Sequence, residues 1–147
     1  MVGLSTGLRK KFCTECSLKD ALDGSVMFIY AGRRPVSAND AISSKSTLIC
    51  IVEQIDPDTG VGGGFVFTGS GEGIGKSPES VWEATMIVNR GLKASWFRIA
   101  KPDDNGMESL DAVRLDDSVG EKVGDGLKLK NAVIEDVLKI ATFNICP

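Results

Sequence analysis

At 147 residues, with 42% hydrophobic and 25% charged side chains, the chain is long enough to bury one domain-sized core without disulfide or metal staples. Its net charge of −3 argues against a nucleic-acid binder, and the absence of any histidine rules out Ser-His-Asp and Cys-His nucleophile systems along with the commonest metal ligand. No apolar run approaches the ~20 residues of a membrane span, and Met1 to Phe12 has basic residues but no apolar signal-peptide core, so synthesis and retention in a cytoplasm are expected.

The first element reads as a helix. Leu4, Leu8, Phe12 and Cys16 recur at helical spacing, with Leu18 and Leu22 near the same side and Arg9, Lys10 and Lys11 opposite. Asp23-Gly24 supplies the stop. One amphipathic helix over Gly3 to Leu22 is therefore expected, making residues 1–24 a helical segment ahead of a β domain over 25–147. Its Leu4, Leu8 and Phe12 face is a candidate interface, covering a sheet edge or reaching a neighbouring subunit.

From Ser25 onward, short apolar runs alternate with Gly, Asp, Asn, Pro and Ser turns. Strands are predicted over Ser25 to Ala31, Thr47 to Gln54, Phe65 to Phe67, Val81 to Val88 and Leu92 to Ala100. Asp103-Asp104-Asn105-Gly106 reads as a hairpin turn into Leu110 to Leu115. Leu127 to Lys130 reads as a half-buried antiparallel strand, and Asp136 to Cys146 as the closing one. The fold class is thus all-β, an antiparallel β-sandwich of about eight or nine strands, Ig-like or jelly-roll-like, preceded by one helix.

Few groups invite chemistry. Ser70-Gly71-Glu72-Gly73-Ile74-Gly75-Lys76-Ser77 nearly spells a phosphate loop, which would use Lys76 and Ser77, but it lacks the first glycine and the following helix. It reads as a flexible glycine-rich inter-strand loop. Asp56/Asp58, Asp103/Asp104 and Asp116/Asp117 lack calcium-loop spacing and read as solvated turns. Trp82, Trp96, Phe97 and Phe143 read as core, against the alternative of a sugar-stacking platform. Arg9-Lys10-Lys11 and Arg33-Arg34 read as solvated faces rather than docking points for an acidic partner. Neither cofactor nor metal is expected, nor an enzyme.

The four cysteines, Cys13, Cys16, Cys50 and Cys146, do not form paired zinc knuckles. Cys16 and Cys50 suit small core positions. Alternatively some thiols form disulfides within or between subunits outside the reducing cytoplasm, with Cys146 the foremost candidate for an intermolecular link.

Three stretches carry a resemblance. Ser5-Thr6-Gly7-Leu8 opens a helix ending in Ala21-Leu22-Asp23-Gly24-Ser25-Val26, followed by Ile29-Tyr30-Ala31-Gly32, Pro35 and Ala38-Asn39-Asp40-Ala41. Then come Ser95-Trp96-Phe97-Arg98-Ile99 and Asp117-Ser118-Val119-Gly120 with Gly126-Leu127-Lys128-Leu129. Across nearly its whole length the chain resembles a family of small β-sandwich virion proteins of tailed bacteriophages, though it is richer in cysteine and lysine than that pattern. The resemblance implies a structural part of the particle: a head decoration or minor capsid protein, or else a neck, collar or tail component. It implies synthesis in a bacterial host's cytoplasm and residence in the virion. Implied partners are the major capsid protein or other virion structural proteins and further copies of the chain, a trimer foremost, with no nucleic acid and no membrane. The cysteines would then serve as covalent links between subunits. A carbohydrate-binding module for the host surface is the reading from another class.

Overall fold

Period-two alternation decides which side of each strand is buried, and cross-strand register decides what it meets there. In the computed structural model, which describes residues 2–70, 73–88, 91–121, 126–128, 134 and 138–146, the strand β2 (Val26–Ala31) sits centrally between β3 (Thr47–Ile55) and β8 (Trp96–Ala100). Both pairings are antiparallel. Beyond β8 lies β9 (Arg114–Gly120), and beyond β3 lies β7 (Val81–Met86). Met27, Ile29, Cys50, Val52, Phe97, Ile99 and Leu115 share the inner face and one core cluster. Short strands complete the nine-stranded sheet: β1 (Gly3–Leu4), β4 (Gly62–Gly63), β10 (Leu127–Lys128) and β11 (Lys139–Ile140).

A second sheet joins β5 (Phe67–Ser70), β6 (Gly73–Lys76) and β12 (Asn144–Ile145), and its Phe67, Ile74 and Ile145 enter the same core. The chain is therefore an all-β sandwich, antiparallel apart from β10, which runs parallel to β9. Leu127 is buried and Lys128 exposed, so the alternation at 127–128 is as expected, but an antiparallel pairing is not what the strand adopts. Leu129 and Lys130 lie outside the described residues.

The N-terminal segment differs from one continuous helix. Leu4 belongs to β1, paired with Leu115 of β9. Ser5 then caps α1 (Thr6–Thr14), its Oγ accepting the Leu8 N–H at 3.1 Å. A second serine oxygen interrupts the helical run: Ser17 accepts the Asp20 N–H at 3.1 Å and starts α2 (Leu18–Leu22). Leu8 is fully buried, and Leu4 and Phe12 pack on the same core. Leu8 thus belongs to the chain's own interior, while Leu4 and Phe12 pack on that core and stay partly exposed.

Gly7 shows how tightly the segment is held. A Cβ there would sit 2.3 Å from the Asp111 carbonyl oxygen and 2.6 Å from that of Ala112. Glycine to alanine inside a helix ordinarily gains about 1 kcal/mol. Here backbone must move, so Gly7→Ala is expected to lose roughly 1–3 kcal/mol in urea unfolding. An increase in stability would refute the packing.

Several strand assignments shift, β5 starting only at Phe67 and β8 only at Trp96. Residues 110–113 are loop, because the Ser5 hydroxyl donates to the Ala112 carbonyl at 2.7 Å and accepts the Arg114 N–H at 2.9 Å, starting β9 only at Arg114. The Asp103–Gly106 turn lies within the longer 101–113 connection, where the Gly106 N–H bonds Asp104 Oδ1 at 2.8 Å. The closing strand, described from 138 on, divides. Ile140 stays with β7, then the chain crosses to β6 through Phe143, whose carbonyl accepts the Lys76 N–H at 2.8 Å.

Candidate functional site

A charged side chain in the middle of a buried strand must find a partner or be expelled. Arg98, in the apolar run Trp96-Phe97-Arg98-Ile99, points to the outer face of the large sheet and is 1% exposed. Register places Asp116 of β9 directly opposite. Arg98 Nε donates to Asp116 Oδ1 at 2.7 Å and Nη2 to Oδ2 at 2.8 Å, a bidentate pair. The guanidinium also lies 5.7 Å from the Trp96 ring, which stacks on Tyr30 at 4.3 Å.

Two residues earlier on β9, hence on the same face, Arg114 makes a second such pair. Its Nε donates to Asp104 Oδ2 at 2.7 Å and its Nη2 to Oδ1 at 2.8 Å. Nη2 also reaches the Met107 carbonyl at 2.7 Å, while Nη1 reaches that of Ala38 at 3.4 Å. The arginines thereby tie two loops, 32–46 and 101–113, down onto the sheet. The loops are also joined to each other: the Ile42 N–H donates to the Gly106 carbonyl and the Ser109 N–H to the Asn39 carbonyl, both at 2.9 Å. Asn39 in turn bonds Thr6 at the start of α1. Arg34 extends the network, Nη2 donating to the Asp116 carbonyl at 3.0 Å.

Burial alone would raise the Asp104 carboxyl, but its bonds with Arg114 and the Gly106 N–H outweigh that and hold it below its ordinary value. Burial pushes Tyr30 up to about 12, so its phenol stays neutral. Between cap and sheet lies a cavity of about 170 Å3 lined by Phe28, Tyr30, Ile42 and Leu48 beside Arg98 and Asp104. Both arginines and both carboxylates are committed to each other, so the assembly has no base or nucleophile to lend. It is a clasp. Outward, the two loops carry Val36, Met107 and Leu110, which are 94%, 61% and 65% exposed.

The residues singled out in the sequence do not converge on this clasp. All four thiols are free. Cys13 and Cys146 are exposed and Cys16 is half-buried, its Sγ 3.9 Å from the Lys11 carbonyl. Cys50 lies in the core of β3, where burial pushes its thiol up to about 12. Its full burial suits the small core position and offers no thiol at the surface. Lys101 donates to the Asp23 carbonyl at 2.6 Å, and burial together with the nearby Lys11 charge lowers its amine.

The near phosphate loop is no loop in its described part. Residues 67–70 and 73–76 pair as antiparallel strands. Its two described glycines serve close packing: a Cβ on Gly73 would fall 1.8 Å from the Ile145 carbonyl oxygen, and one on Gly75 2.4 Å from that of Phe143. Lys76 Nζ bonds the Ser77 carbonyl at 3.1 Å. Trp82, Trp96, Phe97 and Phe143 are all buried, so none offers a ring to a sugar. Among the acidic pairs, Asp116 and Asp104 are ion-paired rather than solvated, and Asp117 lies 3.7 Å from Arg34. Asp56 caps its own turn, accepting the Asp58 N–H at 2.8 Å.

Arg98 stands in the stretch Ser95–Ile99 that carries the resemblance, but neither it nor Arg114 is a candidate site residue in the sequence. Their available signal was a lone arginine inside an apolar strand and another at the head of Arg114-Leu115-Asp116. No helix among the described residues is long and apolar enough to cross a membrane, and no three His, Cys, Asp or Glu side chains among them come together as metal ligands. No family model, curated protein or solved structure matches the chain.

Proposed function

We propose that this chain is a non-enzymatic structural protein of a tailed-phage particle, a capsid decoration or minor capsid protein that acts in many copies. The observation that carries this reading is the clasp. Two desolvated bidentate pairs are spent on holding two surface loops in one shape, and those loops present Val36, Met107 and Leu110 to solvent. A rigid, partly apolar surface suits contact with another protein, because little ordering entropy remains to oppose association. The resemblance across the chain supplies the kind of partner: the major capsid protein or another virion structural protein, and further copies of itself. Host-cytoplasm synthesis followed by residence in the virion completes the reading. Once particles leave the reducing cytoplasm, the accessible thiols Cys13, Cys16 and Cys146 are available for covalent links.

Quantitative mass spectrometry of purified particles tests this. On the order of hundreds of copies per particle supports a decoration role, whereas roughly six or twelve moves the protein to the neck, collar or tail. Absence from particles refutes the reading. Non-reducing gels of the same particles test the links, and a monomer band with and without reductant removes that part.

A further inference from the structure

The chain separates its charge by region. Helix α1 carries Arg9, Lys10 and Lys11 and no acid, with Arg9 and Lys10 exposed. Between Lys45 and Lys76 there is no lysine or arginine, while Glu53, Asp56 and Asp58 fall there. Those acids flank an open groove of about 560 Å3 at the end of β3, lined by Ile55, Pro57 and Val61 and floored by Gly62, Gly63 and Gly64. Val61 is 65% exposed, and Val81, in register with Ile55, is 41% exposed. A Cβ on Gly63 would meet nothing within 4 Å.

Among the described residues, Arg9, Lys10, Glu53 and Asp58 have no ion-pair partner. Glu53 stands directly opposite Glu83, an unfavourable like-charge pair. Glu83 has Lys139 in register on its other side, so Glu53 is the less compensated of the two. Lys19 is engaged by Asp23 and is not available to the groove. The two regions also lie at one end of the sandwich. Ser5, which starts α1, bonds Arg114, and Arg114, Ala100 and Val26 follow in register across the sheet towards the end of β3.

We propose that two copies of this chain pair through this end, the basic face of α1 from each lying in the acid-flanked apolar groove of the other. Patches that sit side by side allow a twofold axis between them to form both contacts at once. The pairing rests on the reading of the chain as a multi-copy building block, and sets a twofold contact where a trimer was expected. Opposite charges supply steering and register, while Ile55, Pro57 and Val61 supply the apolar area.

Sedimentation velocity of the purified chain tests it. A concentration-dependent dimer is expected in about 50 mM salt, with dissociation strengthened at least about tenfold in 0.5 M salt. Arg9→Glu/Lys10→Glu and, separately, Glu53→Lys/Asp58→Lys should each weaken the dimer at least about tenfold. None of these four side chains makes a hydrogen bond within the described fold, so folding is expected to survive, as far-ultraviolet dichroism would register. Mixing the two variants, or combining all four changes in one chain, should restore the dimer. A chain that stays monomeric to about 1 mM, an assembly indifferent to either reversal, or a mixture that fails to reassociate overturns the pairing. Because copy number on particles is measured separately, that failure leaves the virion reading standing.

Discussion

Asp116→Ala is expected to destabilise the chain by about 3–5 kcal/mol, because it strands the Arg98 guanidinium in a site from which water is excluded. Both partners are 1% exposed. With Asp116 gone, the remaining acceptor is the Asp40 carbonyl, at 3.4 and 3.5 Å, too long to replace a bidentate carboxylate. Urea unfolding with an unchanged m-value would register the loss. Arg98→Met/Asp116→Leu, which removes both charges and keeps the volume, should recover most of it, since an apolar pair pays no desolvation. A change within about 1 kcal/mol for Asp116→Ala would mean that the pair is solvated and the clasp is not closed. Asp104 adds a pH dependence. Its lowered carboxyl makes the Asp104–Arg114 contact a stabilising one above the ordinary carboxylate value of about 3.9. That contribution is lost as pH falls through the lowered value, so acid should loosen the cap.

Trp82→Ala is expected to cost about 3–5 kcal/mol as well, for a different reason: it empties the centre of the core. The ring is fully buried, stacked on Phe65 at 3.9 Å between centroids, with Phe67 edge-on and Phe143 tilted, each at 5.7 Å. Its Nε1 donates to Gln54 Oε1 at 3.1 Å, and the same oxygen holds the Val66 N–H at 3.0 Å. The truncation therefore opens a cavity between the two sheets and loosens the strand that leads into β5. Thermal unfolding and loss of near-ultraviolet dichroism would follow it. A stability loss below about 1 kcal/mol would contradict a closed aromatic core.

The strands that unbroken apolar runs mark most clearly, 26–31 and 47–55, are where they were expected, because an apolar run bounded by turn residues is a local property of the chain. The helix expected over Gly3 to Leu22 is delayed to Thr6 and divided by two serine caps, Ser5 and Ser17, a competition that apolar spacing does not register. The Gly-rich run at 69–76 resembles a loop by composition. Its described residues are strand, and at Gly73 and Gly75 the carbonyls of Ile145 and Phe143 come so close that no side chain fits. Only the chain's distant end explains those two glycines. The paired aspartates look solvated in isolation. Asp116 is buried because β8 and β9 align in a register that sets it against Arg98.

From its residues alone the chain is marked as an all-β sandwich without histidine chemistry, since the cadence of apolar runs and turns and the absence of a side-chain type are both local facts. The partners were decided by the tertiary structure. Ser5 with Arg114, Arg114 with Asp104, and Arg98 with Asp116 meet because strand order and register bring separate segments to one face. Hydrogen bonds and ion pairs act over a few ångströms, whereas the positions they join are fixed by the packing of the whole sheet. A clasp of this kind exists only once the sheet has formed.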